Sequence, residues 1–312
     1  MVKKKKEEEN KALALYTIKL DAEQLEKLKQ YLDYHLWEYY EVDHALFGFK
    51  SDKVNVVGYK SGKLVVQGKK TEDFVTNILE PEITKNPLLG YDEVHHPEWF
   101  ELHAGMDESG KGDLFGPVIT ATVIADGGMV RDWIAKGIRD SKTVSSDRKI
   151  LDLEKQIRST KGVVVETAWA NVSKYNELYK RFGNLNKLLA WFHARALETA
   201  LDKKMAPWGL LDQFSKQPLT KGFLKTHKNF DLRQRTKAES DPVVAAASII
   251  ARAQYVKSIQ RLEEDAGITI PKGSGHQAAN ALRKLVEKFG PECVDHYVKT
   301  HFKTVNEVLG SQ

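Results

Sequence analysis

Cysteine is almost missing from this chain of 312 residues, where Cys293 stands alone. One thiol excludes an internal disulfide and a cysteine-rich zinc site, and it fits a reducing compartment, the cytoplasm. A lone cysteine in a helical stretch reads as a small buried hydrophobe. Long apolar runs are missing as well: nothing approaches the roughly 18 residues of a membrane span. The lysines at 3–6 have no apolar segment behind them, so neither a membrane nor a secretory signal is expected. Arginine does not occur before Arg131. Internal repeats are also absent.

What is present is ordinary for a globular chain. Hydrophobic residues make up 41% and charged residues 29%, which argues against wholesale disorder, and the length suits two domains with cores of their own. The net charge of +5 is unevenly placed. Residues 1–98 carry 15 Lys against 18 Asp and Glu, a net of −3, whereas the remainder carries 33 Lys and Arg against 25 acids, a net of +8. A basic second region agrees with a polyanionic partner, although surplus lysine is also simply a solvated surface.

Lys3–Lys6 followed by Glu7–Glu9 is a charge block without hydrophobic period and is read as a frayed tail. From Ala12 the pattern sharpens. Ala14, Tyr16, Ile18 and Leu20 alternate with Thr17 and Lys19 as in a strand. Asp21 then caps a helix in which Leu25, Leu28 and Leu32 share a face. Strands follow over Ala45–Phe49, Val54–Tyr59 and Leu64–Gln67, and Thr71 opens a second helix through Leu79. This is a compact α+β module. Its hairpin from Tyr59 to Lys70 gathers Lys60, Lys63, Lys69 and Lys70. They read either as a basic edge facing nucleic acid or as lysines that blunt a sheet edge. Residues 80–100, with Pro81, Pro87, Gly90 and Pro97, break all periodicity. The His95-His96 pair there lacks a third ligand at fixed spacing and reads as loop. The expected domains are 1–85 and 100–312, joined by a linker over 86–99.

In the second region a strand is expected to end at Asp107, and another covers Val118–Ile124. A helix over Gly128–Lys136 precedes the loop Arg139-Asp140-Ser141-Lys142-Thr143, and Ser145 caps the next helix, which reaches Ser159. Gly162–Trp169 is a strand, and helices lie around Val172–Tyr179 and Lys187–Lys204. Trp208–Asp212 is a short buried strand ending in an acid, and Phe223–Thr226 is read as another strand. Helices over Val243–Ala266, Gln277–Phe289 and Pro291–Val298 complete the chain. The fold class is α/β, a mixed sheet with helices on its faces.

Chemistry concentrates at Asp107-Glu108-Ser109-Gly110-Lys111-Gly112-Asp113. Gly105-x4-Gly110-Lys111 comes close to the phosphate-binding loop of nucleotide hydrolases. Gly112, however, stands where a Ser or Thr hydroxyl should hold Mg²⁺, and two acids inside the cradle would repel a phosphate. The other reading gives the carboxylates to a metal and the glycine loop to a nucleic-acid backbone. Asp212 terminates the apolar run Leu210-Leu211 and lies beside Asp107 if the two strands pair. Clustered carboxylates repel unless a divalent cation neutralises them, and hard oxygen ligands favour Mg²⁺ or Mn²⁺ over zinc. A fourth acid is expected from Lys237-Ala238-Glu239-Ser240-Asp241-Pro242, ahead of a helix whose alanines allow close approach to the sheet.

Taken together, Asp107–Pro117, Asp140-Ser141-Lys142, Leu211-Asp212-Gln213-Phe214 and Lys237-Ala238-Glu239 with Ala246–Ala251 resemble the type 2 ribonucleases H. Gly-Lys-Gly, Asp-Gln-Phe, Lys-Ala-Glu and the ending His301-Phe302-Lys303-Thr304 are similar to the ribonuclease HIII branch. The first module, with Gly62–Lys69, resembles that branch's TATA-binding-protein-like domain. The resemblance covers nearly the whole chain. It implies an RNase H-like fold and an endonuclease that cuts the RNA strand of RNA/DNA hybrids, leaving 5′-phosphate and 3′-hydroxyl ends. It assigns Asp107, Glu108, Asp212 and Glu239 to metal binding and catalysis. Two cations about 4 Å apart would activate a water and stabilise the leaving 3′ oxygen. The gap from Glu239 to Ser248 is one residue shorter than the family's pattern, which leaves Asp241 as the alternative fourth acid. Ser109, Gly110, Lys111 and Gly112 are implied to sense the ribose 2′-hydroxyl, Lys142 to meet a phosphate, and Lys63 and Lys69 to help grip the hybrid. The partner expected is the hybrid alone, bound by a monomer. The rival is the ribonuclease HII activity on a single ribonucleotide embedded in DNA, with Tyr297 near the region where that branch uses a tyrosine.

Overall fold

Alternation and capping decide the first part of the chain. In the computed structural model, which describes residues 13–138, Val144 and residues 146–310, the strands and helices begin with β1 (Leu15–Lys19) and α1 (Ala22–Tyr34). Asp21 accepts a hydrogen bond from the Gln24 backbone at 2.8 Å, and the Gln24 side chain accepts one in return from the Asp21 backbone at 3.1 Å. This reciprocal cap satisfies two orphan donors at once. Strands β2 (Glu38–Tyr39), β3 (Ala45–Ser51), β4 (Val54–Tyr59) and β5 (Lys63–Gly68) follow, in the antiparallel order β1-β5-β4-β3-β2. Leu25, Leu28 and Leu32 of α1 are buried with Phe47, Phe49, Val56, Leu64 and Val66 on one face of this sheet. Each such leucine contributes about 1.5–3 kcal/mol. The opposite face is open, and Thr17, Lys19, Lys50, Asn55, Lys63 and Gln67 are exposed on it.

Two expectations for this region change. The lysine hairpin is not a sheet edge, because β5 lies between β1 and β4. The second helix also does not stop at Leu79. It runs as α2 (Thr71–Phe74) into a wide π-helical stretch over Val75–Thr84, which contains Pro81. Glu80 is buried and accepts from the backbones of Leu88 at 2.8 Å and Leu89 at 2.7 Å. Residues 80–89 are therefore fastened to this part rather than being structureless. The short helix α3 (Asp92–His95) follows, and the chain divides into two compact units between Pro97 and Glu98.

The second unit opens with β6 (His103–Ser109), β7 (Ile119–Ala125), α4 (Gly127–Ala135), α5 (Asp147–Ser159) and β8 (Val164–Trp169). It continues with α6 (Val172–Phe182), α7 (Leu185–Lys203), β9 (Trp208–Asp212), β10 (Asp231–Arg235) and α8 (Pro242–Ala266). Helices α9 (His276–Phe289), α10 (Val294–Tyr297) and α11 (Lys303–Leu309) end it. The sheet order is β10-β9-β6-β7-β8, with β10, β9 and β6 parallel and β7 and β8 antiparallel to their neighbours. The mixed sheet with helices on its faces thus forms as the pattern predicts. Helix α8 covers one face, and Ala245, Ala246 and Ala247 are fully buried along it. At Gly105 a Cβ atom would lie 2.3 Å from the Val243 carbonyl carbon, so only glycine lets this helix lie so close on β6. Helix α7 covers the other face, where Ala194, Leu197 and Leu201 pack with Ala104, Met106 and Leu211.

Phe223–Thr226 is not a strand. Its backbone donors at Lys225 and Thr226 turn to the Glu198 carboxylate rather than to a neighbouring strand. The strand beside β9 is instead β10, Asp-Leu-Arg-Gln-Arg, whose exposed Asp231, Arg233 and Arg235 leave Leu232 as its sole apolar residue. Pro291–Val298 is broken into a 3-10 turn and the one-turn α10. The helix start expected at Ser145 falls outside the described residues, and Ser146 precedes α5. The Lys3–Lys6 tail and the loop Arg139–Thr143, including Lys142, also lie outside them. Among the described residues no helix is long and apolar enough to cross a membrane.

Candidate active site

Parallel pairing brings the acids together. In the β6–β9 register Met106 stands beside Leu211, so the next step along each strand is Asp107 and Asp212, at the carboxyl ends of neighbouring parallel strands. Such ends are where open α/β sheets place their ligands. Asp107 is 7% exposed and accepts from the Glu108 backbone at 2.8 Å and from the Ser248 hydroxyl of α8. Burial pushes its pKa up to about 7, and the charges of Glu108 and Asp212 add to the rise. Asp212 accepts from the Ala238 backbone at 2.9 Å. That bond fixes the 3-10 turn Ala238–Ser240, so Glu239 is carried one residue beyond an atom tied to Asp212.

Asp241 has a different task. It is fully buried as the N-cap of α8, accepting from the backbones of Val243 at 2.8 Å and Val244 at 3.4 Å. The same oxygen meets His103 Nε2 at 3.1 Å, at the opposite end of β6 from Asp107, and the His103 ring stacks on Trp208. Its carboxylate is committed to the helix start. Of the two acids before α8, the geometry leaves Glu239 with the Asp107–Asp212 end of the sheet.

The donor set is all carboxylate oxygen, the chemistry that suits a hard divalent cation. The raised pKa of Asp107 reports negative charge crowded into a dry place, which such a cation would relieve. Among the described residues no three His, Cys, Asp or Glu side chains are already closed on one point that could hold an ion.

Glu108 carries a neighbour that the sequence does not reveal. His193 of α7, wholly buried, places Nε2 3.1 Å from Glu108 Oε2, and its ring stacks on Phe214 with centroids 5.4 Å apart and planes 10° apart. On the other oxygen, Lys111 Nζ lies 3.7 Å from Oε1 and 5.6 Å from the Phe214 ring centre. His193 sits inside the apolar run Leu188–Ala194, where a histidine reads as core; only the tertiary contact discloses it.

The glycine loop is held from beneath. Gly110 has φ +85°, and a Cβ there would fall 2.4 Å from the Pro117 carbonyl and 2.7 Å from the Tyr255 ring, so the position requires glycine. Gly112 faces open space, with no atom within 4 Å of where its Cβ would be. Behind the loop, Lys299 is fully buried and donates to the carbonyls of Asp113 at 2.7 Å and Phe115 at 3.1 Å. Burial pushes the Lys299 amine down to about 7. Gly273 donates its backbone N–H to Asp113 Oδ1, and Leu114 donates to the Gly273 carbonyl at 2.9 Å. Ser109, Gly110, Lys111 and Gly112 are thus brought beside Asp107 and Glu108. Lys63 and Lys69 belong to the first unit, both exposed, Lys63 on its open sheet face and Lys69 in the turn after β5. Tyr297 is buried and donates its hydroxyl to Asp265 at 2.7 Å.

The profile of a family described as Ribonuclease HII matches residues 104–305, and one described as Domain of unknown function (DUF3378) matches residues 16–87. Ribonuclease HIII of Chlamydia trachomatis serovar L2 is 40% identical over 272 residues, covering 86% of this chain and 88% of that protein. Ribonuclease HIII of Chlamydia pneumoniae is 37% identical over 273 residues, covering 86% and 89%. Among solved structures, Bst-RNase HIII in complex with Mn²⁺ superposes with a TM-score of 0.66 at 25% identity, covering 96% of this chain and 99% of that one.

Proposed function

Because the chain belongs to the ribonuclease HIII family of RNase H endonucleases, we propose that Asp107, Glu108, Asp212 and Glu239 form its metal-binding catalytic centre for cutting RNA in RNA/DNA hybrids. The observation that carries this reading is that Asp107 and Asp212 stand at adjacent parallel strand ends within one another's field, with Glu108 next in the chain. Mn²⁺ or Mg²⁺ is the cofactor; the related Bst enzyme was crystallised with Mn²⁺. When bound, two such ions supply the Lewis acidity that readies a water and offsets charge on the leaving 3′ oxygen, giving 5′-phosphate and 3′-hydroxyl ends.

The chain's own residues do the rest. Asp107, pinned by Ser248, and Asp212, pinned by Ala238, hold their oxygens in fixed positions before substrate arrives. The open side of Gly112 admits a ribose where any side chain would obstruct it. The backbone of Gly110-Lys111-Gly112 reads the 2′-hydroxyl that separates RNA from DNA. Lys142 meets a phosphate near the cut, and the open sheet face with Lys63, together with Lys69, adds affinity that weakens as salt rises. Burial of Tyr297 against Asp265 gives no support to a tyrosine acting at a single embedded ribonucleotide. The protein acts as a cytoplasmic monomer without an obligate protein partner; sedimentation at working concentration checks the monomer.

One assay tests the core of this reading. A labelled RNA/DNA hybrid and a DNA duplex with one ribonucleotide are incubated with Mg²⁺, Mn²⁺ or EDTA. Cation-dependent cutting of the hybrid is expected. Cutting in EDTA, or none of the hybrid with either cation, overturns it.

A further inference from the structure

We infer that His193 is a positioning residue that fixes Glu108 for the divalent cation, with Phe214 as the flat support that orients the imidazole. The inference rests on the reading of Glu108 as a metal ligand and adds a device that this reading lacks. A glutamate has three side-chain torsions and samples many arrangements at a strand end, whereas a cation site needs its oxygen in one place. His193 removes that freedom. Its ring is wholly buried, and Nε2 approaches Glu108 Oε2 at 3.1 Å. A carboxylate accepts hydrogen bonds and donates none, so Nε2 carries the hydrogen.

The other ring nitrogen makes the role specific. Nδ1 is buried and has no hydrogen-bond partner among the described residues. A histidine kept only for packing would be replaced at no loss by an apolar residue, and one kept as a structural bridge would use both nitrogens. His193 spends a single bond, and spends it on Glu108. Its ring is steadied instead by Phe214, stacked at 5.4 Å with planes 10° apart. Phe214 follows Asp212 by two residues, so the segment leaving β9 just after one acid supplies the support for another. With Oε2 committed to His193, the oxygen left for a cation is Oε1, on the side of Lys111, whose side chain is 35% exposed. Residues that orient metal ligands in this way are worth about 10–100-fold in metal affinity.

The test measures Mn²⁺ binding to the full chain without substrate, from the electron paramagnetic resonance of free Mn²⁺. His193→Ala should raise the Mn²⁺ dissociation constant about 10–100-fold. His193→Gln, whose amide also donates, should stay near the native value, and Phe214→Leu should fall between the two. Cleavage by His193→Ala should recover toward the native rate at saturating Mn²⁺, with KM for the hybrid unchanged. Thermal melts identify a variant that fails to fold; if His193→Ala does, Phe214→Leu against His193→Gln decides. Native Mn²⁺ affinity in the folded His193→Ala and Phe214→Leu proteins, alongside weak binding by Glu108→Gln, overturns the inference and leaves the metal centre standing. Native affinity in Glu108→Gln overturns the centre's use of Glu108, and this inference with it.

Discussion

The two sheets of this chain treat polar groups in opposite ways. The first sheet is covered by α1 on one face and leaves the other to solvent, with Lys19, Lys50, Lys63, Asn55 and Gln67 spread across it. Apart from Lys50, which pairs with Glu38 at 2.7 Å, these residues face solvent as single exposed groups. The second sheet is covered on both faces, and its acids Asp107 and Asp212 stand at neighbouring strand ends, where Asp107 is buried and fastened to Ser248 and the Glu108 backbone. Dispersed exposed charges act additively and are screened by salt. Buried charges in one another's field act as a unit, and losing one member disables the rest. On the proposed reading, the first surface adds affinity in small steps and the second is intact or useless.

The sharpest way to break that contrast is to remove one acid. Asp107→Asn and Asp212→Asn should each lower kcat by at least about 10²–10³-fold, while hybrid binding measured by fluorescence anisotropy stays near native. Activity surviving at more than a few per cent would place the metal centre elsewhere. Removing the whole first unit should do the reverse. Residues 98–312 form a unit with clusters of their own, so that fragment should keep most of its kcat while KM rises at least about tenfold, the loss of only about 1.4 kcal/mol of binding. An unchanged KM would make the open face a bystander.

The strand-end placement of Asp107 and Asp212 and the leucine stripe of α1 are legible in the sequence, because each depends on local pattern. Trp208–Asp212 is a strand with the expected ends since a short apolar run closed by an acid has little else to become. Three kinds of feature are not legible there. β10 escapes because an edge strand needs only one half-buried apolar residue, Leu232, and charged residues at the alternate positions hide its period. Phe223–Thr226 misleads because its apolar character is local while its hydrogen bonds are supplied by Glu198, far away in sequence. His193 and Lys299 are single polar residues in apolar surroundings, whose partners, Glu108 and the carbonyls of Asp113 and Phe115, are fixed only by the fold. The choice between Glu239 and Asp241 is equally closed to sequence, because both precede α8 and only geometry gives the cap to Asp241.

Lys299 offers a middle case, a buried cation that serves the loop rather than the reaction. Its amine is pushed down to about 7 by desolvation, against a partial upward pull from Asp113, with His301 and the rings of Tyr175 and Tyr255 near it. A neutral amine still has two N–H groups, one for each carbonyl it holds. Between about pH 7 and the ordinary lysine value near 10.4 the unfolded chain binds the extra proton and the folded one does not. This contribution to stability is therefore complete above the unfolded value and is lost as pH falls through about 7. Native stability should climb between these limits by at most about 1.4 kcal/mol per pH unit. In Lys299→Met this component of the climb should be absent; identical pH dependence of urea midpoints in the two proteins would show that the amine does not titrate there.

The smallest effect belongs to the open sheet, and it is the one that decides whether that sheet touches the substrate. Lys63 lies opposite Lys19 across the β1–β5 pair, on the uncovered face and within the sheet, so blunting an edge cannot be its purpose. If it meets a phosphate, Lys63→Ala should weaken hybrid binding only a few-fold, because one exposed contact is worth about 1 kcal/mol or less. The more telling quantity is the salt dependence. Each lost phosphate contact should reduce the slope of log affinity against log salt by about one, whatever the sequence of the hybrid. Lys69→Ala, in the turn after β5, makes the same measurement beyond the end of the strand. A slope lowered by Lys63→Ala but not by Lys69→Ala would confine the contact to the sheet face. A slope unchanged in both would leave these lysines to solubility alone, and would shift the search for the first unit's grip to Asn55, Gln67 and Thr17, neutral donors on the same face that salt does not screen.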